Sequence, residues 1–238
     1  MMKKKYILLF LSLISFICFL ALSKYEDRAL IRTMDFAVTV RVQDAITKYC
    51  PVRCDNFLSG VSEFAGPFVA SFFVVWLTGF FFYDSVKKRV HMWALLIPIF
   101  FIIMALVEIY GKNAVSHPAP PFFMIKNPTA IFPTYHVSAD FSYPSGHAAR
   151  AVFISILGFS AWTIRIAHKK VRSQQVLVGV VFVFFVSLVS LSKVYFGHHW
   201  FSDIVGGAFL ACSLAFGALV FAPVDARDKA DYNRKVHE

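Results

Sequence analysis

Long apolar runs separated by short polar breaks dominate the chain. Six windows, 6–23, 66–83, 91–110, 148–167, 176–196 and 202–222, are apolar over about 20 residues each, the length of helix that crosses a bilayer. The pattern predicts an all-α fold, a polytopic membrane bundle of six transmembrane helices. Such a bundle uses nearly the whole chain, so residues 1–238 are read as a single domain. After the first window, EDRALIRTMDFAVTVRVQDAITKY carries Leu30, Met34, Ala37, Val38 and Ala45 interleaved with Arg28, Arg32, Arg41 and Lys48. That spacing fits an amphipathic helix in the membrane interface, its cations near lipid phosphates. A solvated connecting helix fits nearly as well. The stretch 111–147 is rich in Pro and aromatic residues and too broken to span. The chain shows no internal repeat, low-complexity tract or Gly-rich nucleotide loop.

Composition agrees with the pattern. At 58% hydrophobic and 17% aromatic, with 28 Phe, the chain is too apolar for an ordinary soluble domain. The first window follows MMKKK, as the apolar core of a signal peptide would. Its run YILLFLSLISFICFLALS is long for such a core and lacks a small-x-small cleavage site before KYEDR, which favours an uncleaved helix.

Charge then gives the orientation. Lys3, Lys4 and Lys5 precede the first window; Lys87, Lys88 and Arg89 separate the second and third; Arg165, Lys169, Lys170 and Arg172 separate the fourth and fifth. Arg227, Lys229, Arg234 and Lys235 lie in the tail. The positive-inside rule makes both termini and these short loops cytoplasmic, and the long loops 24–65 and 111–147 external. The net charge of +10 is therefore a topology signal, and nucleic acid is a poor partner for it. Of four Cys, Cys18 and Cys212 fall in apolar windows as packing residues. Cys50 and Cys54, in YCPVRCDNF, are either a disulfide closing a small external loop or two free thiols. A zinc site lacks a second ligand pair.

The unusual polar residues fall at the external ends of the windows. In YPSGHAARAVF, Pro144 ends an extended approach, Ser145 is a natural N-cap and Gly146 leaves the backbone open to a ligand. A helix N-terminus attracts phosphate through its free N–H groups and dipole, and His147 stands in that first turn. A capped helix with an incidental His reads the same way. In SLSKVYFGHHWFSDIVGGAF, His199 and Asp203 are four apart, so on a helix they share a face. A carboxylate accepting the Nδ1 proton leaves Nε2 free to attack, and an acid near a membrane helix end marks function. Lys112, after the third window, suits phosphate or simply snorkels toward headgroups, and Glu108, one turn earlier, is placed to pair with it.

Together these residues resemble the type 2 phosphatidic acid phosphatase (PAP2) superfamily of membrane lipid phosphatases. Its pattern is Lys-x6-Arg-Pro, Pro-Ser-Gly-His, then Ser-Arg-x5-His-x3-Asp, on a six-helix bundle with an outward-facing site. Here Lys112 is followed after six residues by Ala119-Pro120, Pro144-Ser145-Gly146-His147 is complete, and Ser192, Lys193, His199 and Asp203 keep the spacing. The motif core covers 90–222. Two positions depart: the family's phosphate-clamping arginines are Ala119 and Lys193. Lys193 keeps the charge without the bidentate fork; Ala119 keeps nothing. Arg150, one turn along from Ser145, and Lys126 are candidate replacements. Interface anchoring and a solvated loop charge explain those two cations as well, and His117 and His198 read as polar interface residues.

The resemblance implies nucleophilic attack by His199 to give a phosphohistidine, orientation by Asp203, and proton transfer by His147. Lys112, Lys193, Ser145, the N–H groups near Gly146 and, as substitute, Arg150 would hold the phosphoryl oxygens. No cofactor is implied, no Asp/Glu cluster suggests a required metal, and no obligatory protein partner is evident. The substrate would be a lipid phosphate or diphosphate in the bilayer: phosphatidic acid, phosphatidylglycerophosphate, a polyprenyl diphosphate or a lipid A phosphate. Short loops favour a bacterial inner membrane with a periplasm-facing site. A phosphotransferase of the same family passing the group to a second lipid, a non-catalytic lipid-phosphate binder and a small-solute transporter are the competing readings. The transporter is disfavoured because the polar residues gather at one face and not at the midplane.

Overall fold

A computed structural model describes residues 2–84, 89–126, 141–163 and 172–222. Among these are eight α-helices: α1 Met2–Tyr25, α2 Ala29–Tyr49, α3 Pro51–Glu63, α4 Pro67–Phe82, α5 Leu96–Ala114, α6 Gly146–Ala161, α7 Arg172–Tyr195 and α8 Phe201–Val220. A two-residue-stranded hairpin, β1 Tyr83–Asp84 and β2 Arg89–Val90, and a 3-10 turn, Met92–Leu95, join α4 to α5.

Each of the six apolar windows holds a helix, so the fold is the predicted helical membrane bundle. Four segments, Lys3–Tyr25, Met92–Ala114, Ser173–Tyr195 and Phe201–Val220, are long and apolar enough to cross a bilayer singly. A fifth crossing arises if α3 and α4, bent by 45° at Phe64–Gly66, act as one span. Pro67 at the start of α4 forces that break, because its ring cannot continue the preceding helix. With 16 residues α6 is short for a crossing, and 164–167 of its window lie outside the described residues. So do Lys87, Lys88, Arg165, Lys169, Lys170 and the basic tail invoked for orientation. Large apolar side chains such as Phe68 (89% exposed) and Phe10 (65%) cover the outside, an arrangement stable only against lipid. The protein is integral to a membrane.

At the centre stands α8. It packs against α1, α2, α5 and α6, and its buried face is Gly206, Gly207, Ala211, Ala215 and Ala218. Small side chains let neighbouring backbones approach closely where no hydrophobic effect drives helices together. A cavity of about 850 Å³ between α1, α6, α7 and α8 is lined by Val152, Ile156, Phe159, Phe182, Val186 and Phe216, with Lys4 and Lys5 at one end.

The segment between the first two windows holds the predicted helix, α2, followed by a second, α3, that the pattern does not predict. Helix α2 packs on α7 and α8. Its Leu30 and Met34 face outward as an interfacial helix requires, while Asp35 and Thr39 are buried against the bundle. Cys50 and Cys54, at the α2–α3 junction, are joined in a disulfide with a Cα–Cα distance of 5.5 Å.

Candidate active site

The two sequence motifs meet where α6 and α8 begin. Ser145 caps α6, its hydroxyl accepting the Ala148 N–H at 3.5 Å. The preceding Tyr143 is fully buried between α1 and α8, stacked on Phe19 and hydrogen-bonded by the Ser23 hydroxyl at 3.0 Å. Burial raises the phenol's pKa, so it stays neutral as a wedge. Gly206 and Gly207 admit that wedge and the turn behind it. A Cβ on Gly206 would lie 2.4 Å from the Tyr143 ring, and one on Gly207 would lie 2.3 Å from the Ser145 carbonyl oxygen. Ser145 completes the dock by donating its backbone N–H to the Asp203 carbonyl at 3.0 Å.

His199 does not share a helix with Asp203. After α7 the chain turns at Gly197 (φ 65°), where a side chain would strike the Met124 carbonyl, and runs extended through Trp200 before α8 starts. His199 therefore sits in the turn, with its N–H on the Lys193 carbonyl at 3.3 Å. Asp203 reaches back from the first turn of α8. Its Oδ2 accepts the Trp200 N–H at 2.8 Å and lies 3.3 Å from His199 Nδ1. The predicted pair thus forms by helix capping instead of a shared face. Both residues are buried, Asp203 completely. With Nδ1 directed at the carboxylate, Nε2 is the nitrogen left for chemistry.

Cations surround the pair. His147, half-buried on α6, lies near Lys193, Arg150, His199 and His198. Arg150 places Nη2 3.5 Å from His147 Nδ1, donates through Nε to the Ala65 carbonyl at 2.8 Å, and pairs through Nη1 with Glu108 Oε2 at 2.8 Å. Lys112 bonds the other Glu108 oxygen at 3.2 Å, the i,i+4 pairing expected from the sequence. That carboxylate lies against Gly146, where a Cβ would be 1.9 Å from Oε1, so Glu108 fixes Arg150 and Lys112 over the start of α6. Lys193 is 7% exposed, with Glu63 and Arg150 as its charged neighbours.

Of the residues singled out in the sequence, His147, Arg150, Lys193, His199 and Asp203 converge, and Lys112 joins them through Glu108. Ser145 and Gly146 form the turn beneath. Lys126 lies elsewhere, bonded to Thr47 at 2.6 Å and over the Tyr195 ring. Asp35 is not singled out by any sequence motif, and His117 reads from the sequence as an interface residue. Asp35 accepts the Ser202 N–H at 2.8 Å and the Ser202 hydroxyl at 2.6 Å, and His117 is buried beside it. A signal for Asp35 was present: Asp35, Thr39 and Gln43 repeat every four residues, a polar stripe along α2. Among the described residues no three His, Cys, Asp or Glu side chains are placed to hold a metal ion together.

Fold and site together define an integral-membrane helix bundle that buries a His-Asp pair among cations at one end. The chain belongs to the PAP2 superfamily, whose model matches residues 100–226. Its structure is similar to that of the first transmembrane PAP2 type phosphatidylglycerolphosphate phosphatase from Bacillus subtilis. The TM-score is 0.66 at 21% identity, covering 87% of this chain and 93% of that one. No curated protein matches the chain.

Proposed function

We propose that this chain hydrolyses a lipid phosphate monoester or diphosphate through a phosphohistidine on His199. The observation that carries the reading is the buried His199–Asp203 pair, 3.3 Å apart, beside Lys193, Arg150 and His147. His199 Nε2 attacks phosphorus, forming an N–P bond as the P–O bond to the lipid breaks. His147 gives the leaving oxygen its proton. Water, deprotonated by His147, then attacks the same phosphorus, breaks the N–P bond and releases inorganic phosphate. Asp203 stabilises the imidazole as it gains charge. Positive charge on the phosphoryl oxygens comes from Lys112, Lys193 and Arg150, with the free N–H groups at the start of α6. Arg150 takes the place left by Ala119, and no step needs a metal.

The chain works as one membrane-embedded domain, 1–238, with its motif core in 90–222. The apolar cavity begins at Val152, about 9 Å along α6 from Gly146 at 1.5 Å per residue, which suits a lipid tail held between helices below its phosphate. Lys4 and Lys5 at the cavity's end support a cytoplasmic N-terminus with the site facing the periplasm of a bacterial inner membrane.

Rapid acid or base quenching with radiolabelled lipid phosphate tests the reading. An acid-labile, base-stable phosphoenzyme that accumulates in His147→Ala and is absent in His199→Ala is the expected result. Turnover with no label on the protein would overturn the covalent route, and phosphate release only when a second lipid is added would indicate phosphotransfer.

A further inference from the structure

Three carboxylates, Glu26, Asp35 and Asp203, are buried at one place at 4%, 2% and 0% exposure, and one histidine, His117, is buried with them at 2%. Carboxylates brought together out of water repel, and each is costly to desolvate unless paired. His117 comes from the segment after α5, held by its own N–H on the Val115 carbonyl and by the Ser142 N–H on its carbonyl. Its Nε2 lies 3.2 Å from Ser202 Oγ, 3.5 Å from Asp35 Oδ2 and 3.7 Å from Asp203 Oδ1. The Ser202 hydroxyl gives its only proton to Asp35 Oδ2 at 2.6 Å, so its lone pairs face the ring. Nε2 must then be the donor.

Asp203 is where this bears on the reaction. Its Oδ2 serves Trp200 and His199, whereas Oδ1 is buried with no hydrogen-bond donor in reach. The polar group nearest Oδ1 is His117 Nε2, 3.7 Å away and beyond hydrogen-bond length, with its proton on the Ser202 oxygen. From α2, Asp35 fixes both sides of this contact: Oδ2 holds the Ser202 hydroxyl, and Oδ1 takes the Ser202 N–H at 2.8 Å, capping α8 from outside that helix.

We propose that His117, hydrogen-bonded to Ser202 and so to Asp35, is a positioning residue whose ring packs beside the second oxygen of Asp203, limits its rotation and so fixes the carboxylate orienting His199. It touches neither substrate nor phosphorus. The proposal rests on the reading of His199 and Asp203 as the reacting pair, and it extends that pair to α2 and to the segment after α5.

The test compares His117→Ala, His117→Gln and His199→Ala in detergent, measuring kcat, KM and phosphoenzyme formation on one phosphorylated lipid, with thermal stability alongside. His117→Ala is expected to lower kcat about 100-fold, the scale for a misplaced catalytic group, with KM unchanged. His117→Gln, whose amide can keep the donor to the Ser202 oxygen and fill the space beside Asp203, should recover most of the loss. If His117→Ala does not fold, Ser202→Ala, which removes only the bracing hydroxyl, should show a several-fold fall confined to kcat. Normal kcat in His117→Ala while His199→Ala is dead overturns this proposal alone. So does a loss that tracks thermal stability and is not recovered by Gln. Full activity in His199→Ala would overturn the underlying site reading instead.

Discussion

Ser145 donates its backbone N–H to the backbone carbonyl of Asp203 at 3.0 Å, so two motifs 58 positions apart in the chain are locked main chain to main chain. Side-chain packing alone would leave the N-terminus of α6 free to drift against the His199–Asp203 pair. This bond, with Gly207 beneath it, fixes the distance between the turn at the start of α6 and His199, the proposed nucleophile.

Gly207→Ala tests that lock. The added methyl meets a backbone oxygen, which cannot rotate away, so α6 must retreat from α8. Thermal unfolding should show a loss of about 1–3 kcal/mol, typical of overpacking, and turnover should fall about 100-fold for a displacement near 1 Å. Gly206→Ala, which strikes the Tyr143 ring, should behave alike. Unchanged kinetics in both variants would mean that the two helix starts move independently.

The cation cluster makes a second prediction. Arg150 donates to Glu108, to the Ala65 carbonyl and toward His147, so its guanidinium is fixed beside the proposed phosphoryl site. Arg150→Ala should raise KM and the inhibition constant of vanadate about tenfold or more, the value of one charge-assisted contact of about 1.5–3 kcal/mol. Arg150→Lys should recover only part, because an ammonium lacks the fork. Ala119→Arg should bring no gain in the unaltered protein but should restore binding in Arg150→Ala. Tighter binding from Ala119→Arg alone would show an empty clamp. Lys193→Arg should keep or raise activity.

Glu26 predicts a pH effect on stability. Burial raises its carboxyl pKa, with Asp203 adding to the shift and its own backbone N–H, His117 and Arg32 opposing it. A group whose folded-state pKa is raised gives its full contribution below the ordinary carboxylate value of 4.5 and loses it as pH climbs through the folded value. Glu26→Gln should therefore melt higher than the unaltered protein at neutral and mildly alkaline pH, with the difference shrinking toward pH 4.5. Equal melting temperatures across that range would show that Glu26 is paired or solvated.

Much of the site was legible in the sequence because its parts are local. Pro144–His147 announce a cap and a turn within four residues, and Lys112 follows Glu108 by one helical turn. The His199–Asp203 pairing was legible too, although its geometry was not: the spacing suggested a helical face, and the extended backbone at Trp200 makes it a cap. Non-local partners were hidden. Asp35 reaches Ser202 across 167 positions, and nothing near His117 in HPAPPF says that it is buried with three carboxylates. The apolar windows marked where helices lie, but the α3–α4 bend and the inward polar stripe of α2 depend on packing between helices. An averaged hydropathy window does not contain that information.

The most direct measurement is phosphate release by detergent-purified protein from a panel of phosphorylated lipids, with and without EDTA, with His199→Ala in parallel. Release that survives EDTA and falls about 1,000-fold or more in the variant, as for loss of a covalent nucleophile, is the predicted result. Release that persists in His199→Ala, or none from any lipid tested, would contradict hydrolysis through His199.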